Sequence, residues 1–255
     1  MSATATTLLL PPRYSADSVA LWRAAIARNW TVERAHGWKV PPHLSPDRVA
    51  VYGETFLVAA VAEQLGLFLT SPSLDWLTRI PREYVQRTLG FTTLAEARHT
   101  PDRLFWKPAD EKLFPAQVYA SGADLPVSGE LPDETPVLFS EPVEWSREYR
   151  CFVPHRAVVT LSPYWRDGRL AQAEDGSWPA SPEELALATR FAARVAADQE
   201  VPACGGWVLD IGCITGTGWA VVEANPAWAS GLYGCDPDRV LDVLCAACSP
   251  SSGAD

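Results

Sequence analysis

The sequence contains no apolar run approaching the length that spans a bilayer. Its first residues, MSATATTLLLPPRY, lack the basic start and long apolar stretch of a secretory leader. A soluble, cytoplasmic chain with no membrane partner is therefore expected. Basic residues are outnumbered, 21 Lys and Arg against 31 Asp and Glu, for a formal net charge of -10 and a pI near 4.9. Holding nucleic acid by phosphate neutralisation needs clustered Lys and Arg, so nucleic acid is not expected as a partner. A small molecule or a protein fits better. The lone histidines His36, His43, His99 and His155 have no triad-like context and read as surface residues. The six cysteines read as reduced thiols in such a compartment. Cys245 and Cys248 form a CxxC, but no second CxxC or His pair closes a zinc site, and they read as small apolar positions on a terminal helix. No repeat or low-complexity tract is present.

What the chain does have is an ordinary globular composition, 47% hydrophobic and 20% charged over 255 residues, enough for a sizeable core or two small domains sharing a cleft. From residue 5 to about 70, apolar strands alternate with helices: TLLLP, SADSVALWRAAIARN, WTVERA, VAVYG, ETFLVAAVAEQLG, LFLTSP. Ser15 is placed as an N-cap, and the alternation predicts a small parallel α/β layer. Residues 73 to 97 read as helices broken by Pro81 and Gly90. After His99 the texture turns to strands, interrupted by one helix over 181 to 199 with Ser181 and Glu184 as a capping box. Two strands, 207 to 212 and 218 to 224, and a helix near 237 to 247 close the chain. The expected organisation is an N-terminal α/β domain over 1–100 and a second, strand-rich domain over 101–248.

The stretch WVLDIGCITGTGWAVVEANP, residues 207 to 226, admits two readings. LDIGCITGTG resembles the glycine loop of an S-adenosylmethionine methyltransferase. Ile214, however, stands where that loop keeps its central glycine, GWAVVEANP is a strand rather than a helix, and too little chain remains to build such a sheet. Read as two antiparallel strands, the segment places Val208, Asp210 and Gly212 on one face, and Glu223 and Asn225 on one face of the partner. If the faces coincide, two carboxylates and an amide converge. That set suits Mg²⁺, a hard cation that completes its shell with water and phosphate. The neighbours Trp207, Leu209, Ile211, Val221 and Val222 are apolar, where unpaired carboxylates are costly.

EYRCFV, residues 148 to 153, puts Glu148, Arg150 and Phe152 on one face and Tyr149, Cys151 and Val153 on the other. Cys151 thus reads as packing. Arg150 needs an anion, either a phosphate gripped in a fork or a structural partner in Glu148 or Glu144. Lys107 ends an apolar strand beside a loop holding Lys112, and either reaches phosphate or extends to solvent. VLFSEPVEW, 137 to 145, reads as a strand entering a Pro-containing hinge whose backbone suits an adenine edge, with Glu141 or Glu144 near the ribose. Arg79, Arg82, Arg87, Arg98 and Arg103 form a basic run that either binds an acidic substrate or decorates a helical surface.

The order of these features resembles the ATP-grasp superfamily, and EYRCFV, VLDI and VEANP resemble its divergent clade that includes the eukaryotic cell-division-cycle protein assisting assembly of translation initiation factor 2. The resemblance spans roughly residues 100 to 240. It implies an ATP-grasp fold of α/β (α+β) class, with antiparallel sheets enclosing a nucleotide cleft and an N-terminal pre-ATP-grasp-like layer. It also implies that Lys107 and Lys112 contact ATP phosphates, Glu141, Pro142 and Val143 read adenine, Arg150 binds phosphate, and Asp210, Glu223 and Asn225 hold Mg²⁺, with Asp210 also at the nucleotide. Glu223 departs from the usual Asp, and the loop ADEKLFP is short and poor in glycine. The implied activity is a carboxylate–amine ligase using ATP through an acyl phosphate, with Arg150 and Lys107 as catalytic cations and a small-molecule, peptide or protein end as substrate. The alternative is a non-catalytic ATP-binding assembly factor for a partner protein.

Overall fold

The computed structural model describes residues 6–250, apart from residue 111 and the side chain of Asp47. β1 (Thr7–Leu10), α1 (Ala16–Ala27), β2 (Thr31–Arg34), β3 (Val49–Val51) and α2 (Thr55–Leu65) build the first layer. Its strands lie parallel in the order β2-β1-β3, as the strand–helix alternation predicts. The Ser15 side chain caps α1 by accepting from the Ser18 N–H at 3.1 Å, and Gly66 ends α2 in the left-handed conformation. β4 (Leu67–Leu69) leaves the layer and pairs antiparallel with a strand from the far end of the chain.

The segment expected to be helical is mixed. α3 (Arg82–Val85) is followed by a strand, β5 (Leu89–Thr93), then α4 (Leu94–Ala97). Gly90, read as a helix breaker, is a strand residue paired with Phe139. A Cβ at Gly90 would overlap that ring, so the position is small because an aromatic covers it. β6 (Leu104–Pro108), β7 (Gln117–Tyr119) and β8 (Pro136–Ser140) complete an antiparallel sheet in the order β5-β8-β6-β7. It carries its own core around Leu94, Trp106, Tyr119 and Val137.

β9 (Trp145–Pro154), β10 (Thr160–Arg166), β11 (Arg169–Leu170), α5 (Pro182–Ala197), β12 (Gly206–Ile214) and β13 (Gly218–Pro226) form the central unit. Its strands run β11-β10-β9-β12-β13. α6 (Pro237–Ala247) and β14 (Cys248–Pro250) end the described chain, β14 pairing with β4. Alternation along β9 and β12 divides the sheet into two faces. Tyr149, Cys151, Val153, Trp207, Leu209 and Ile211 pack with Phe191 and Val195 of α5. That core includes Cys151, as its strand phase predicts. Complete burial of residues such as Leu209 stabilises by about 1.5–3 kcal/mol each. On the opposite face, Phe152 and Val208 join the core of the parallel layer and α6.

α5 begins at Ser181, whose side chain accepts from the Glu184 N–H at 3.2 Å. The cysteines are free thiols, with Cys245 in the last turn of α6 and Cys248 opening β14. Among the described residues no helix is long and apolar enough to cross a membrane.

Candidate active site on the central sheet

Strand register brings the site together. Arg150 on β9 pairs with Asp210 on β12, and Asp210 pairs with Glu223 on β13; Asn225 lies opposite Val208. The faces expected from alternation coincide. The Arg150 fork donates from Nε to Asp210 Oδ1 at 3.0 Å and from Nη2 to Oδ2 at 2.6 Å. Its remaining arm donates to the Gly231 carbonyl at 3.1 Å, and the rings of Tyr164 and Tyr233 flank it. The in-protein partner of Arg150 is thus Asp210, not Glu148 or Glu144, because the cross-strand neighbour is nearer than any along the strand.

Lys107, at the end of β6, forms an ion pair with Glu223. Asn225 Nδ2 donates to Glu223 Oε1 at 2.9 Å and to Asp210 Oδ2 at 3.3 Å. Two cations and an amide therefore satisfy two carboxylates in a buried corner. Burial pushes the Asp210 carboxyl up, and the Arg150 guanidinium pulls against it. Burial also opposes ionisation of Glu223, but Lys107 and the Asn225 bond win and hold it down at about 2.

Among the described residues no group of three or more His, Cys, Asp or Glu side chains is placed to hold a metal by itself. Two carboxylates and the Asn225 amide oxygen are a partial set. Such a set fits a cation that completes its shell with phosphate and water.

Two cavities meet at this corner. One of 270 Å³ is lined by Pro142, Val143, Trp145, Glu148, Tyr164 and Val222, among others. The other, of 1210 Å³, lies between the α2 start, residues 71–74, the 108–116 loop and Trp228. Lys107 and Glu223 line both. Lys112 lines only the larger one and forms no ion pair among the described residues.

The hinge residues separate. Pro142 and Val143 face the smaller cavity, whereas the exposed Glu141 turns away: its Oε1 accepts from the Thr88 N–H at 3.0 Å and its own N–H donates to Thr88 O at 2.9 Å. The pairing of β5 with β8, absent from the sequence expectation, is what captures it. Glu144 is also exposed. The carboxylate that does enter the smaller cavity is Glu148, accepting from the Tyr164 hydroxyl at 2.5 Å. Burial raises it to about 7, Tyr164 opposing and the charges of Asp210 and Glu223 adding to the rise.

The basic run does not form a surface stripe. Arg87 is buried against the cavity wall, and Arg98 donates to the Pro126 carbonyl at 2.7 Å and to Asp133. Only tertiary contacts distinguish Arg87 from its exposed neighbours Arg79 and Arg82, since local spacing treats them alike.

Solved structures share this architecture at low identity. They include an ATP-grasp RimK domain protein of Sphaerobacter thermophilus DSM 20745, 16% identical, with a TM-score of 0.55 over 94% of this chain and 99% of that one. The D-alanine–D-alanine ligase of Bacillus anthracis, solved with ATP, is 13% identical, with a TM-score of 0.52 over 96% of this chain and 97% of that one. D-cycloserine synthetase DcsG is 14% identical, with a TM-score of 0.55 over 93% of this chain and 98% of that one. No curated protein matches the sequence. Residues 84–243, which carry the Lys107, Arg150, Asp210, Glu223 and Asn225 cluster, match the ATP-grasp domain that defines the second family of one ATP-grasp clade, and the chain belongs to that family.

Proposed function

We propose that the chain is an ATP- and Mg²⁺-dependent carboxylate–amine ligase that works through an acyl phosphate on a small molecule, peptide or protein end. The supporting observation is the Lys107–Glu223 pair shared by two cavities, one suited in size to a nucleoside and one open to a second substrate. Pro142 and Val143 bound the adenine end. The Val143 N–H makes no hydrogen bond among the described residues and is available to a base edge.

In the reaction, a carboxylate oxygen of the substrate attacks the γ-phosphorus and ADP leaves. The amine then attacks the acyl carbon, inorganic phosphate leaves, and the nitrogen loses a proton. Lys107 and Arg150 offset the charge that grows on the transferring group, and Lys112 stands on the second-substrate side. Asp210, Glu223 and Asn225 would hold Mg²⁺, which supplies charge neutralisation between phosphates. Positioning and electrostatics suffice, and no side-chain nucleophile is needed.

The test is ADP release from Mg-ATP across a panel of carboxylates and amines. A ligase releases ADP only when both partners of a productive pair are present. Tight Mg-ATP binding with no release above background for any pair would instead favour an assembly factor that binds ATP without turning it over.

A further inference from the structure

We infer that Arg87 is a positioning residue that pins the register of β13, holding the bulge at Val222 and so keeping Glu223 and Asn225 on the face that carries Asp210. The pairing shows why a pin is needed. Asp210 lies opposite Glu223, yet the next residue, Ile211, lies opposite Val221, so Val222 is an extra residue in β13.

In a regular strand successive carbonyls point to opposite edges. Here one guanidinium donates to two successive carbonyls, Val221 O at 2.7 Å and Val222 O at 3.1 Å, and also to Val85 O at 3.0 Å. Both strand carbonyls must therefore face the outer edge, which the extra residue makes possible. Gln86 Nε2 donates to Trp219 O at 2.9 Å on the same edge. The two residues after α3 thus cap three carbonyls of an outermost strand.

Arg87 is only 7% exposed, so water has little access to replace it. The Trp145 ring lies 5.0 Å from its guanidinium carbon, and no carboxylate among the described residues forms an ion pair with it. Burial lowers its pKa to about 10, which leaves it charged at neutral pH, with Glu148, Glu141 and Glu223 opposing the drop.

The consequence of losing the pin follows from strand periodicity. A slip of one residue exchanges the two faces. Val222 would replace Glu223 beside Asp210, and Glu223 would turn toward the α5 core that now buries Val221 and Ile211. Glu223 and Asn225 matter here as Mg²⁺ ligands, so the metal half of the test rests on the proposed function.

Two variants, Arg87→Met and Arg87→Lys, separate these ideas, with amide hydrogen exchange over 218–226 as the first readout. Arg87→Met is expected to lower protection there by about tenfold while β9 and β10 keep theirs. Arg87→Lys, keeping charge but not the fork, falls between. The Mg²⁺ concentration giving half-maximal ATP binding should rise about tenfold in Arg87→Met, with metal-free ATP affinity unchanged.

Unchanged protection in β13 overturns the inference, as does an equal fall in metal-free affinity, which would make Arg87 a direct nucleotide ligand. If Arg87→Met does not fold, Arg87→Lys is judged by the same measurements. ATP binding by the unaltered protein that ignores Mg²⁺ would overturn the metal assignment instead, and the exchange result then decides Arg87.

Discussion

Arg150 and Asp210 face each other across paired strands with both fork bonds made, and Asp210 is fully buried. A buried ion pair adds little net stability over an apolar pair of the same shape. Losing one member strands the other in a poor solvent. Asp210→Ala and Arg150→Met should each destabilise by about 3–5 kcal/mol, and the double variant by clearly less than the sum of the two. Urea unfolding of the three variants measures this, and simple additivity would show that the two groups do not act as a pair.

The metal assignment predicts a binding defect without unfolding. Glu223→Gln with Asn225→Ala keeps size at the first position and removes one carboxylate and one amide oxygen. Mg-ATP affinity should fall by about tenfold or more, each factor of ten corresponding to about 1.4 kcal/mol. Affinity equal to that of the unaltered protein in calorimetry means these groups do not hold the metal.

Glu148 predicts a pH dependence. Its carboxyl ordinarily titrates at 4.5 and is raised to about 7 by burial. Between those values the folded chain holds a proton that the unfolded chain has released, so this group's contribution falls as pH rises from about 4.5 to about 7 and is flat above. Glu148→Gln keeps a partner for the Tyr164 hydroxyl and should be more stable than the parent at pH 8, by on the order of 2 kcal/mol. The advantage should disappear near pH 4.5. Thermal unfolding at the two pH values checks the sign, and a constant difference would show that Glu148 ionises freely in the folded state.

Gly212 and Gly216 should fail for different reasons when changed to Ala. A Cβ at Gly212 would lie 2.6 Å from Trp145 Cε3 and 2.9 Å from the Arg147 carbonyl, an overlap with ring and backbone worth about 1–3 kcal/mol. At Gly216 the space is open, but φ is +77°, and the left-handed backbone costs about 1–2 kcal/mol. Restoring room with Trp145→Ala should rescue part of the first loss and none of the second, as read by melting temperature.

Much of the site was legible because strand alternation is a local rule. EYRCFV put Arg150 and Glu148 on one face, and VLDI and VEANP put Asp210, Glu223 and Asn225 on faces that could meet. The caps at Ser15 and Ser181 and the parallel first layer were legible for the same reason, since short-range hydrogen bonding and apolar periodicity specify them.

Where the chain depended on pairing between distant segments, only the tertiary structure decided. Whether Arg150 meets Asp210 or Glu148 turns on the register of β9 against β12. Glu141 faces outward because β5, read as helix, pairs with β8 and engages Thr88. Arg87 is indistinguishable in sequence from the exposed arginines beside it, and the bulge it holds leaves no local signature in GWAVVEANP. Side-chain periodicity belongs to the strand alone, whereas register, bulges and burial are set by which strand lies alongside, and that is settled only when the sheet is assembled.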